Sequence, residues 1–127
     1  MDISLKDFIN EGIIAQQKYA EASDIPGPLD GMIKGVRYSY IIDNLGHMME
    51  EVIEARREVV RRPWKKGELG CLDNEEKRTA FIEEMFDTML FLRATLAYAN
   101  VTGEEFCKVA YDKMNYNDNR EDHKTNV

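Results

Sequence analysis

The stretch Phe81–Ala99, FIEEMFDTMLFLRATLAYA, constrains this chain more than any other. Read at helical pitch, its apolar side chains fall on nearly every side, which marks a helix surrounded by other protein. Yet Glu83, Glu84 and Asp87 stand inside it. Carboxylates are rarely placed in such a helix unless they are paired or hold a metal. Together with Arg93 the same charges argue against a membrane span. The plain alternative is an exposed helix end for Glu83 and Glu84 and an arginine partner for Asp87.

A second acidic cluster lies upstream, Glu50-Glu51-Val52-Ile53-Glu54, continuing to Glu58. Glu51 and Glu54 are three residues apart, as are Glu84 and Asp87, and side chains at that spacing share one helix face. If the two pairs face each other, four carboxylates surround one small space, and their repulsion calls for a divalent cation. Hard oxygen donors suit Mg²⁺, with Mn²⁺ as a substitute. Glu51, Glu54, Glu84 and Asp87 are therefore the candidate metal ligands. Taken alone, the first cluster also reads as a solvated face with intrahelical ion pairs, since Arg56 and Arg57 lie within it.

At 127 residues the chain is expected to form one all-α domain over residues 1–120, followed by a flexible tail, 121–127. A net charge of −7 argues against a nucleic-acid polymer or an anionic membrane as partner. It leaves nucleotides open, because a bound metal and local cations reverse the sign at a site. Cys71 and Cys107 lack metal-binding spacing and read as reduced thiols of a cytoplasmic protein. The first residues carry no signal-peptide pattern.

Four helices are expected. The first spans residues 3–21, with Ser4 as its cap. Asn10 and Gln17 lie on its apolar stripe and are candidates for base or sugar contact; the alternative is that they satisfy backbone or neighbouring side chains. Residues 22–31, with Pro26, Gly27, Pro28 and Gly31, form a loop, either a connector or a cover for a site. The second helix begins between Met32 and Arg37 and runs to Arg62, where Pro63 stops it. Its stripe Asn44, His47, Glu51, Glu54, Glu58 has a neutral hydrogen-bonding end and an acidic end, so Asn44 and His47 join the base or sugar candidates. A histidine at such a position is more often a surface or helix-packing residue than a ligand contact. In the irregular segment 63–73, Trp64 offers a ring to stack and Lys65 and Lys66 offer charge for phosphate, unless Trp64 is a lid on the helix ends. The third helix starts at Asp73 or Asn74 and ends near Asn100. The fourth starts at Thr102 or Gly103, with Thr102 and Glu105 at capping-box spacing, and carries Lys113, Asn117 and Arg120 along its packing face. That face either aims cations into an acidic pocket or is a frayed helix end, where cations are favoured anyway.

The succession EExxE at Glu50–Glu54, ExxD at Glu84–Asp87 and Lys-x3-Asn-x2-Arg at Lys113–Arg120 resembles the all-α nucleoside triphosphate pyrophosphohydrolases. That superfamily holds the MazG proteins and the dimeric dUTPases with their phage dCTPase-dUTPase relatives. PWKK at Pro63–Lys66 is similar to a Trp-Lys segment of the dimeric dUTPase branch, and Ile53 stands where MazG proteins have glycine. The resemblance covers roughly residues 37–120 and implies a four-to-five-helix bundle assembled as a dimer or a dimer of dimers. It implies hydrolysis between the α- and β-phosphates of a (deoxy)nucleoside triphosphate, with the four acids on Mg²⁺. Glu50 or Glu54 would accept the water's proton, and Lys113, Asn117, Arg120 and more weakly Lys65 would grip phosphates. A phage origin also fits. Two other readings stand beside it: a nucleotide- or metal-binding regulator without turnover, and a structural helical module whose acids are surface decoration.

Overall fold

In the computed structural model, which describes residues 2–120, the chain forms four helices and no strand among those residues. They are α1 (Leu5–Ser23), α2 (Lys34–Val59), α3 (Glu75–Tyr98) and α4 (Gly103–Asn119). The all-α expectation is met. The expected tail, 121–127, lies outside the described residues.

Local chemistry sets most boundaries. Ser4 Oγ accepts the Asp7 amide, Asn74 Oδ1 that of Lys77, and Thr102 Oγ1 that of Glu105, so α1, α3 and α4 each begin on a side-chain cap. Helix α1 runs two residues past the expected end, to Ser23, and is capped by Asp24, whose left-handed backbone (φ 57°) returns its amide to Ala20 and Glu21. Helix α2 stops earlier than Pro63 requires. Val60 is already extended, and the amide of Cys71 takes the Val59 carbonyl at 2.8 Å. Gly70 lies so close to that carbonyl that a Cβ there would collide with it.

Helices α2 and α3 form an antiparallel hairpin. Tyr40 stacks on Tyr98 at one end, with ring centroids 4.9 Å apart, and His47 meets Phe91 further along. Helix α1 lies along α3 in the same direction, with Phe8 against Phe86 (6.2 Å) and Gly12 against the Arg93 stem, whose guanidinium sits 4.6 Å over the Phe8 ring. Helix α4 lies against α1 and against no other helix among the described residues.

The loop 24–33 is pinned rather than free. Arg37 donates to the carbonyls of Pro28, Asp30 and Tyr98 and to Asn100 Oδ1, at 3.0–3.2 Å, and Tyr98 donates its hydroxyl to the Pro26 carbonyl at 3.0 Å. Burial raises the Tyr98 phenol above its ordinary pKa.

The buried apolar set is small: Phe8, Ile9, Ala20, Ala55, Ala94, Ala97 and Tyr98. The expected burial of the Phe81–Ala99 helix is not reached within one chain. Ile82, Met85, Phe86 and Met89 of α3 remain substantially exposed, as do Tyr38, Ile42, Met49 and Ile53 on the outward side of α2. Helix α3 has apolar residues on all sides, and one chain supplies only two helices, α2 and α1, to cover them.

Candidate metal centre and adjoining cavity

The antiparallel hairpin sets Glu51 and Glu54 of α2 opposite Glu84 of α3. One carboxylate oxygen from each lies within 4.8 Å of the others. Glu54 is exposed, while Glu51 and Glu84 are half-buried, and one oxygen of each of these two is closed off from solvent without a hydrogen-bond partner. No ion pair among the described residues reaches the group.

Electrostatics records the crowding. The Glu84 carboxyl is pushed up from its ordinary 4.5 to about 7. The main cause is the hydrogen bond it makes to Glu51 when it carries a proton; desolvation follows, then a like bond to Glu54 and the charges of both neighbours. Two ionised carboxylates have no hydrogen to share, which is why the same oxygens stand unpartnered when all three are charged. The group therefore takes either a proton or a cation. Three hard anionic oxygens at this spacing, two of them in carboxylates with a hidden, unpartnered oxygen, could hold a metal ion.

Asp87, the fourth expected ligand, is half-buried and does not belong to this group. Side chains at i and i+3 share a face but are offset by about 4.5 Å along the axis. A group closed at the level of Glu84 leaves Asp87 nearly a turn away. Glu50, one of the two proton acceptors considered, also lies apart: it is largely exposed and its Oε2 is 3.7 Å from His47 Nδ1. Glu54, the other, is in the group.

One turn from Glu51 along α2, a cavity of about 490 Å³ opens between α1, α2 and α3. Its walls include Tyr40, Asp43, Asn44, His47, Phe91 and Tyr98, so two of the five expected base or sugar contacts, Asn44 and His47, line it. The Asn44 amide donates to the Tyr40 carbonyl at 2.8 Å, which fixes the side chain and leaves its Oδ1 to accept. The His47 and Phe91 rings lie 5.3 Å apart. Tyr40 was legible in principle, since Tyr40, Asn44, His47 and Glu51 follow one helical stripe. Tyr98 and Phe91 reach the cavity only through the pairing of α3 with α2.

The other three expected base or sugar contacts are occupied elsewhere. Asn10 accepts the Gly103 amide at 2.8 Å and donates to Glu104 at 2.6 Å, so it joins α1 to α4. Gln17 is buried; it accepts the Leu29 amide and donates to Glu21 and Asp30, which pins the loop. Both therefore satisfy the alternative considered for them. Trp64 is 79% exposed and is not a lid; it belongs to a different cavity, at the end of α2.

The phosphate candidates are not gathered at the carboxylates in the single chain. Lys113 lies 5.0 Å over the Tyr116 ring, Asn117 Oδ1 is hidden and unpartnered, and Arg120 ends α4, its amide on the Tyr116 carbonyl. Lys113 and Asn117 are on α4, which among the described helices meets α1 alone, and Arg120 is its C-cap. Lys65 is exposed in the turn after α2.

No family model, no curated protein and no solved structure matches this chain. No helix among the described residues is long and apolar enough to cross a membrane.

Proposed function

We propose that this chain is a divalent-metal-dependent nucleoside triphosphate pyrophosphohydrolase, releasing a (deoxy)nucleoside monophosphate and pyrophosphate and so controlling a nucleotide pool. The observation that carries the reading is the Glu51, Glu54 and Glu84 group, with its hidden unpartnered oxygens and its strained Glu84 carboxyl. The aromatic cavity one turn away and the motif resemblance support it.

Glu51, Glu54 and Glu84 would hold a Mg²⁺ ion, which would neutralise charge on the triphosphate and acidify a water. Glu54, the exposed member, takes the proton of the attacking water at a carboxylate oxygen. Tyr40, His47 and Phe91 hold the base by ring contact, and Asn44 Oδ1 accepts from it.

Lys113, Asn117 and Arg120 reach the phosphates from a second copy of the chain. In one chain Ile82, Met85, Phe86 and Met89 of α3 and Ile42 and Met49 of α2 stay exposed. A dimer or dimer of dimers would cover these side chains, and the substrate then lies near the subunit boundary.

The separation of α4 from the carboxylates also favours a second reading, a regulator that binds metal or nucleotide without turnover. One experiment separates them. The protein is incubated with each common NTP and dNTP, with Mg²⁺ and with EDTA, and products are resolved by ion exchange. Monophosphate and pyrophosphate, formed only with Mg²⁺, is the expected result. Diphosphate and phosphate would overturn the reaction assigned, and no turnover of any nucleotide would leave the regulator.

A further inference from the structure

On the far side of α2 from the carboxylates, about 140° round the helix at ~100° per residue, the chain carries a second cavity of about 570 Å³. Its polar lining comes from Arg56, Arg57 and Arg61, its aromatic lining from Trp64, and its apolar floor includes Ile53 and Pro63. No acidic side chain lines it, and none of the three arginines takes part in an ion pair among the described residues. The neighbouring Arg62 is engaged, 3.1 Å from Glu68. Between Arg56 and Lys66 the sequence places six cations and one acid, in a chain of net charge −7.

The helix C-terminus accounts for part of this. Arg56 and Arg57 lie in the last turn of α2, where cations are favoured. It does not account for Arg61, beyond the helix, or for an indole left bare beside three guanidiniums. A guanidinium matches a phosphate group with two parallel donors, and an indole face stacks on a heterocyclic base. The volume lies in the range of small-ligand sites. A bare anion would use the arginines and leave the indole idle; a nucleic-acid polymer would meet the acidic remainder of the surface.

We propose that this cavity is a second nucleotide site, which holds a nucleoside di- or triphosphate without a metal, its base on Trp64 and its phosphates on Arg56, Arg57 and Arg61. It is independent of the carboxylate group in position and in chemistry.

Trp64 is the only tryptophan in the chain, so its fluorescence reports on this cavity. The full chain is titrated in EDTA with ATP, adenosine, tripolyphosphate and oligothymidylates of increasing length. ATP should quench saturably, with adenosine and tripolyphosphate each at least tenfold weaker. Arg57→Ala combined with Arg61→Ala should weaken ATP at least tenfold at an unchanged melting temperature; if that variant melts early, Arg61→Gln, outside the helix, carries the test. Glu84→Gln should leave the quench intact. The proposal is overturned by an absent or unsaturable quench, by tripolyphosphate binding as tightly as ATP, or by oligothymidylate affinity that grows with length. Loss of the quench in Glu84→Gln would overturn it too, since the tryptophan would then be reporting on the carboxylate site.

Discussion

Glu84 has two ways of living beside Glu51 and Glu54: with a proton or with a cation. Because its folded pKa is raised from 4.5 to about 7, its contribution to stability is fully present below pH 4.5 and is lost as pH climbs through 7. Metal-free protein should therefore melt progressively lower between those values, a trend that thermal scans in EDTA would show and that Glu84→Gln should flatten. Metal binding has the opposite dependence, since the ion must displace the proton, so Mn²⁺ or Mg²⁺ should raise the melting temperature far more at pH 8 than at pH 6. Glu84→Gln should remove that metal-induced rise and lower turnover on the order of 100-fold or more, while the melting temperature in EDTA at pH 8 stays equal or increases. A variant that keeps the metal-induced rise would show that the ion sits elsewhere. At this scale the sequence was a good guide wherever partners lie within a turn. Ser4, Asn74 and Thr102 cap as their spacing to the third following amide implies. Asp87 shows the limit of the same rule: a shared face does not mean a shared point, and the level at which α2 meets α3 decides which carboxylates converge.

Among the elements, the polar side chains of α1 act as fasteners. Gln17 serves the loop through residues 12 and 13 positions away, and Asn10 serves α4 across 93 and 94. No periodicity in α1 discloses partners so distant, which is why the sequence leaves base or sugar contact and a structural role both open for these two residues. Truncating Gln17 to alanine strands the Leu29 amide and should cost about 1–3 kcal/mol, read as a drop in the urea midpoint. The KM for nucleotide should move little at a temperature where the variant is folded; a large rise in KM would restore Gln17 to the substrate. Helix boundaries carry the same lesson. Pro63 marks where α2 cannot continue, but the chain turns away sooner because the Cys71 amide has already claimed the Val59 carbonyl.

The whole molecule is under-covered. Its apolar stripes were legible as helical spacing, but which of them one chain covers is a property of the packing. Tyr38, Ile42, Met49 and Ile53 face outward from α2 while Ala55 is buried against α3. Light scattering after gel filtration should return a dimer or tetramer at micromolar concentration, and Ile42→Glu with Met49→Glu should yield monomer that has lost turnover but keeps its helical circular dichroism. A wild-type monomer would remove the second copy from the site and leave α4 to supply phosphate contacts only by moving.

The order of the contacts along the chain has a further consequence. The three glutamates belong to a hairpin of neighbouring helices, while α4 is joined to α1 by bonds that span more than ninety residues and to nothing else among the helices. Such an attachment opens without disturbing the hairpin, and native proteins come apart along seams of this kind. Amide hydrogens of α4 should therefore exchange with deuterium first. Those of α2 and α3 beside the carboxylates should exchange last, and later still when Mn²⁺ is present.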